Sequence, residues 1–277
     1  MYKPANIRML KDSVRLSDAD FESSVLENKA IYQRKLKKLQ ERVLHIQQAY
    51  FHQGERAIIV FEGWDASGKG GVIRRLTERM DPRGFNVVPI SVPKPDEQSR
   101  HYLYRFQKAL PKAGSITIFD RSYYGRVLVE RIEGLASIRE WQRAYQEINE
   151  FERLLSDDGV RIIKIFLHIT PEEQLIRFHE RLHNPYKRWK ITIDDFRNRL
   201  KWKDYEKAIN EMFRQTSTNI ANWNLIAANK KWYTRVQILE IICANLGKGV
   251  DIIPKPLDSK LIDAAEQLLG ITVKKDK

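Results

Sequence analysis

The chain of 277 residues holds one cysteine, Cys243, so no disulfide can form within it, and the thiol's place in the apolar stretch VQILEIICANL marks it as a buried structural group. Long hydrophobic runs are missing as well. AIIVF and IIKIFL are about one strand long, against the ~20 residues needed to cross a bilayer, and the opening MYKPANIRMLKDSV has no apolar core of the signal-peptide kind. A soluble, cytoplasmic protein with no membrane association is expected. Acidic residues are in short supply: 36 Asp and Glu stand against 49 Lys and Arg, a formal charge of +13. Nucleic acid, an acidic membrane or a polyphosphate could each use such a field, and a basic surface tuned for solubility would account for it equally well. Internal repeats and low-complexity tracts are absent, while 42% hydrophobic and 10% aromatic residues suffice for a core in one or two domains.

What is present is an alternation. Tyr32, Leu36, Leu39, Val43, Ile46 and Tyr50 recur at spacings of four and three, which predicts one long helix over residues 18–53, ended by Gly54 and packed on the body of the protein. After it come five short apolar runs: AIIVFE (57–62), FNVVPI (85–90), SITIF (115–119) leading into Asp120, RIIKIFLHI (161–169) and WNLIAA (223–228). Helical stretches separate them, the last near 232–246. This pattern predicts an α/β fold with a five-stranded parallel sheet covered by helices on both faces, its ligands at the carboxyl ends of the strands. Residues 1–54 read as an N-terminal helical extension, 55–246 as the main domain, and 247–277 as a tail with one short helix.

The first strand runs into EGWDASGKGG, where Gly63, Gly68 and Lys69 have the G-x-x-x-x-G-K spacing of a phosphate-binding loop. Backbone N–H groups of Gly63, Ala66, Ser67, Gly68, Gly70 and Gly71, with the start of a helix behind them, are placed to cradle phosphate oxygens, and Lys69 adds a positive charge. The loop lacks one thing. Gly70 stands where such loops carry the Ser or Thr that helps to hold Mg²⁺. Two carboxylates are candidates to replace it, Asp65 within the loop and Asp120 at the end of the third strand, because Mg²⁺ is satisfied by one or two carboxylates plus waters and substrate phosphates. Asp65 is alternatively a base for the attacking oxygen, or simply a turn residue, and Asp120 a helix cap.

Arg121 and Arg126, in DRSYYGRVLVERIEG, can reach an acceptor phosphate, whereas Arg131 is expected in an ion pair with a neighbouring glutamate. Tyr123 and Tyr124 either stack on a base or pack. Residues 177–203 carry nine Lys and Arg against three acidic residues, and Asn184-Pro185 and Asp194 divide the stretch into two helical arms, the pattern of a lid that closes over phosphates. Arg181 is the catalytic candidate, with Lys187, Arg188 and Lys190 as anion contacts; Trp189 and Trp202 are expected to pack. His179 and His183 lack a third metal ligand nearby.

Taken together, EGWDASGKGG, DRSYYGRVLVERIEG and TIDDFRNRLKWKDYEKAINEMFRQTSTNIANWNLIAANKKWYTR resemble the family 2 polyphosphate kinases, from about Glu55 to Leu246. The resemblance implies a P-loop kinase-like three-layer sandwich with a helical lid, Mg²⁺ (or Mn²⁺) dependence, and reversible transfer of the terminal phosphoryl group of inorganic polyphosphate to a nucleotide. Gly70 is then the family pattern, Asp65, Lys69, Asp120, Arg121 and Arg181 take the essential positions, and the basic surface is a track for a polyanion. The wording is closer to the branch that converts AMP to ADP; members of that branch are often two fused copies and this chain has room for one, so AMP and ADP both stay open as acceptors, with adenine or guanine as base. A homo-oligomer, dimer or tetramer, is expected, with no specific nucleic-acid partner. The rival readings are an ATP-using thymidylate-type kinase and a nucleic-acid-binding P-loop protein without phosphoryl transfer.

Overall fold

A computed structural model describes residues 4–272 apart from 27 and 255. Its centre is β1 (Arg56–Gly63), whose residues Ala57 to Phe61 are at most 1% exposed. A strand so apolar throughout belongs inside a sheet covered on both faces. It lies between β3 (Ile116–Asp120) and β4 (Val160–His168), with β2 (Phe85–Pro89) and β5 (Trp223–Ala227) at the edges, all parallel in the order β2-β3-β1-β4-β5. Each of the five expected strands is found within a residue or two of its predicted ends. Phe61 pairs with Asp120 on one side and Ile165 on the other, so the ends of β1, β3 and β4 open on one edge of the sheet.

The connections are helical: α1 (Lys29–Gln53), α2 (Lys69–Thr77), the one-turn α3 (Pro95–Gln98), α4 (Tyr104–Gln107) and α5 (Val129–Ile132), then α6 (Ile138–Asp157), α7 (Pro171–His183), α8 (Ile193–Leu200), α9 (Trp202–Thr216), α10 (Lys231–Leu246) and α11 (Ser259–Leu269). The α1 stripe packs along α10: Tyr32, Leu36, Val43, Ile46 and Tyr50 are buried, Leu39 is partly so, and the Tyr50 hydroxyl donates to the Leu246 carbonyl at 3.1 Å. Cys243 is buried there too, and burial pushes its thiol up to about 11, outside the reactive range.

The first helix is shorter than its stripe predicts, beginning at Lys29 rather than near residue 18. Asn28 caps it by accepting from the Ile31 N–H. Upstream, Asp20 takes the N–H groups of Glu22 and Ser23 in a local turn that competes with helix. The segment before that lies over the end of α9: Met9 bridges to Thr218, and buried Leu16 donates its N–H to Asn210.

The segment after β3 is anchored from below. Tyr123 and Tyr124 are fully buried and both hydroxyls donate to Glu152 Oε1, at 2.9 and 2.8 Å. Lys164, from the middle of β4, donates to Glu152 Oε2 at 2.8 Å, the Tyr124 hydroxyl at 2.9 Å and the Thr216 carbonyl at 2.7 Å. Every donor of a fully buried ammonium is thus used. Packing is therefore the role of both tyrosines, and neither is free to stack on a base. A charge left alone in such a place is costly, so Glu152→Gln is expected to destabilise by about 3–5 kcal/mol in urea unfolding, and Glu152→Gln with Lys164→Met by clearly less.

Candidate active site

The loop between β1 and α2 is shaped by backbone that few side chains tolerate. Gly63 has φ of 143°, and a Cβ there would lie 2.4 Å from the Leu167 carbonyl oxygen of β4, so only glycine allows the two chains to pass. Ala66 (φ 62°) and Gly68 (φ 108°) are left-handed as well. Two of the N–H groups expected to face a phosphate are bonded within the loop instead, Ser67 to the Trp64 carbonyl at 3.0 Å and Gly71 to the Gly68 carbonyl at 2.9 Å, because the tight turns bring those carbonyls round; α2 starts behind the loop at Lys69. Ser67 is buried and its hydroxyl has no protein partner.

Lys69 folds back over the loop, its ammonium donating to the Gly63 carbonyl at 2.6 Å and the Trp64 carbonyl at 3.1 Å, which leaves one donor. Burial, and then the charge of Arg121, push its pKa down; Asp65, Asp120 and Glu62 oppose the shift. Glu62 is buried beside it, accepts from the Ser122 hydroxyl at 2.7 Å, and is pushed up by the same loss of water.

The two carboxylates singled out in the sequence are held differently. Asp65 Oδ1 accepts from Arg121 at 2.6 Å, Oδ2 accepts from the Asn198 amide at 2.8 Å, and its backbone carbonyl accepts from Gln174 at 3.0 Å. Asp120 ends β3 facing the start of α2: a Cβ placed on Gly70 would lie 4.0 Å from its Oδ2. The hydroxyl missing from the loop would project into this space, next to a carboxylate that is already there.

The remaining candidates divide. Arg121, at φ 65° and with its side chain half exposed, stands over the loop in the field of Asp65, Glu62, Asp120 and Asp195. Arg181 donates to the Lys190 carbonyl at 2.7 Å; burial lowers its pKa while Asp195 and Asp65 oppose. Gly71 lies near Arg235. Arg126 is not gathered in: it pairs with Glu130 at 3.0 Å and lies on the Tyr102 ring. Arg131 does form an ion pair, but with distant Glu211 at 2.8 Å. Lys187 is directed to Glu180 at 3.9 Å and Arg188 donates to the Leu182 carbonyl, both exposed on the lid. Trp202 packs as expected, stacked on Trp64 at 3.6 Å between ring centroids and 2° between planes. Trp189 does not: it is 77% exposed, because the short turn at Arg188–Lys190 stands off the body. His179 and His183 stack on each other, and no group of three metal-ligating side chains occurs among the described residues.

Arg177 escaped the sequence reading, hidden among the like charges of the lid. It is 3% exposed, and its guanidinium donates to the carbonyls of Ala66 (2.9 Å) and Ser67 (2.7 Å) on one side and Ala228 (2.7 Å) and Asn229 (3.0 Å) on the other, with Nε to Glu173 at 2.6 Å. Asn198, Gln174 and Trp64 were missed for a similar reason, since their partners are distant in sequence. Trp64 donates from Nε1 to His168 Nδ1 at 2.8 Å; burial pushes His168 down to about 4, so the ring is a neutral acceptor. A lysine has no planar fork to join both pairs of carbonyls. Arg177→Lys is therefore expected to cost about 2–4 kcal/mol of stability and to speed amide exchange of residues 66–68 selectively, measured by urea unfolding and hydrogen exchange.

Residues 26–250 match the family Polyphosphate kinase 2 (PPK2), a span that takes in α1 through α10. A polyphosphate:AMP phosphotransferase of Pseudomonas syringae is 52% identical over 192 residues, 69% of this chain and 39% of that protein. An AMP/ADP-polyphosphate phosphotransferase of Meiothermus ruber is 40% identical over 80% of this chain and 81% of its own length. The polyphosphate kinase 2 structure from Arthrobacter aurescens superposes with a TM-score of 0.85 at 33% identity, covering 92% of this chain and 93% of that one. The chain spans less than half the length of the Pseudomonas relatives it matches, 39% and 37%. With the β2-β3-β1-β4-β5 sheet, the glycine-rich loop after β1 and the flanking helices all in place, the chain belongs to the polyphosphate kinase 2 family.

Proposed function

We propose that the protein is an enzyme that transfers the terminal phosphoryl group of inorganic polyphosphate to the terminal phosphate of AMP or ADP, reversibly. The observation that carries this reading is the gathering of Lys69, Asp65, Asp120 and Arg121 around a phosphate-binding loop that leaves the space beside Gly70 empty. The names of the relatives, polyphosphate:AMP and AMP/ADP-polyphosphate phosphotransferase, support the substrate class. The chain's excess of basic residues suits a polyanion.

In this reading the end of the polyphosphate chain lies in the loop. A phosphate oxygen of the nucleotide attacks the terminal phosphorus in line, a new P–O bond forms, and the anhydride bond to the shortened polyphosphate breaks with its electron pair going to the leaving oxygen. Lys69 keeps a donor for the transferring group, Arg121 has guanidinium N–H groups left beyond its bond to Asp65, and Arg181 comes in with the lid. These charges act where water is largely displaced, which makes them worth more than at an open surface. One anhydride replaces another, so the reverse reaction is accessible.

The residues fit a divalent ion: a small hard cation takes one or two carboxylates plus phosphate oxygens and waters, and Asp65 and Asp120 with the open space at Gly70 offer that donor set. When bound, Mg²⁺ (or Mn²⁺) there would screen the charge of the phosphate oxygens. We further assign residues 55–246 as the catalytic unit with its lid near 177–203, and expect a homo-oligomer in the cytoplasm. No helix among the described residues is long and apolar enough to cross a membrane.

Purified protein given long-chain polyphosphate, a divalent metal and AMP or ADP, with no ATP present, should make ADP or ATP. Absence of new nucleotide would sink the proposal. Asp120→Asn and Lys69→Met are each expected to lower turnover by about a hundredfold or more with the fold intact by circular dichroism. Comparing AMP, ADP, GMP and GDP as acceptors decides base and acceptor.

A further inference from the structure

From the basic lid the uncharged side chain of Asn198 reaches into the phosphate-binding loop. Asn198, in α8, donates its amide N–H to Asp65 Oδ2 at 2.8 Å across 133 residues of sequence. Its own carbonyl oxygen accepts from the Tyr205 hydroxyl at 3.1 Å, which fixes the amide with its N–H side toward Asp65. Tyr205 is buried near the Trp64 indole, 6.3 Å between ring centroids, and Trp202 stacks on the same indole. Two consecutive loop residues, Trp64 and Asp65, are therefore each met by a side chain from around the α8–α9 junction.

Resting on the proposed phosphoryl transfer, we propose that Asn198 is a positioning residue: it holds the Asp65 carboxylate plane in its working orientation without adding charge. An ionised carboxylate has about four acceptor sites. Arg121 on Oδ1 and Asn198 on Oδ2 use one each, which leaves one site on each oxygen for the groups of the reaction. The terminal torsion of aspartate is broad, so a single tether at Oδ1 would let the plane turn. The second tether stops that rotation. A lysine or arginine at this position would hold Asp65 equally well, but it would neutralise the carboxylate and compete with a cation for it. The amide orients and does not titrate. Tyr205 works one step further out, since without its hydroxyl the amide is free to present its oxygen to Asp65, and two acceptors would then face each other.

The test uses the full chain and separates kcat from KM. For Asn198→Ala, kcat is expected to fall about 30- to 100-fold, with KM for polyphosphate and for nucleotide within threefold of wild type and the melting temperature within a few degrees, because loss of orientation acts on the reacting geometry rather than on ground-state binding. Asn198→Asp, isosteric but with acceptors where donors stood, should lose more than Asn198→Ala, and Tyr205→Phe should lose less than either. An Asn198→Ala variant that is folded and turns over within twofold of wild type would overturn the positioning role, as would a loss of kcat in Asn198→Asp no greater than in Asn198→Ala, or a change seen only in KM. Wild-type protein inactive with polyphosphate under the same conditions would count against the proposed function instead, so the two failures are distinct.

Discussion

The guanidinium of Arg177 is the fastening on which the site depends. It joins the loop after β1 to the loop after β5, across a sheet in which β4 lies between those strands, by hydrogen bonds to carbonyls of Ala66, Ser67, Ala228 and Asn229. Charge-assisted bonds in a dry setting are stronger than neutral ones, and the planar fork sets their directions. On the other side of the Ala66 peptide the Ser67 N–H donates to the Trp64 carbonyl at 3.0 Å, so that peptide is held at both ends. The left-handed turn at Ala66 and the hydroxyl of Ser67, which has no protein partner, both lie in the stretch that Arg177 holds.

Charge around the loop is arranged in opposing pairs. Loss of water pushes Glu62 up and Lys69 down, yet each sits in the field of the other, so the two burial costs are partly offset by mutual attraction. Asp65 is shared between Arg121 and Asn198, and Asp195, itself pushed up by burial, lies in the field of Asp65 and Arg181. Carboxylates and cations in this region come close to balance. Further out, basic residues such as Lys187 and Arg188 are exposed to solvent.

Much of the fold is legible in the sequence because parallel strands buried on both faces read as uninterrupted apolar runs, and each of the five runs is a strand. The loop is legible for a related reason: Gly63 through Gly71 is contiguous, and its geometry follows from glycine's freedom. The start of α1 was misjudged because an apolar stripe does not report that Asp20 and Asn28 recruit backbone N–H groups locally. Arg177 was invisible among nine like charges, since only burial tells a clamp from a solvated face. Asn198 offers no local signal, and neither does Trp202: their partners in the loop are over a hundred residues away. Trp189 carries the opposite lesson, a large apolar ring that hydrophobicity would bury but that the lid turn leaves in water.

The stacked indoles of Trp64 and Trp202 have a spectroscopic consequence. Two chromophores 3.6 Å apart with planes parallel to within 2° share their electronic transitions, and the fixed arrangement imposes a chiral signal on their absorption bands. One ring belongs to the loop after β1 and the other to the first residue of α9. A motion that draws the start of α9 away from the loop would break that electronic coupling, so the polypeptide carries its own optical gauge of this contact, readable without a label.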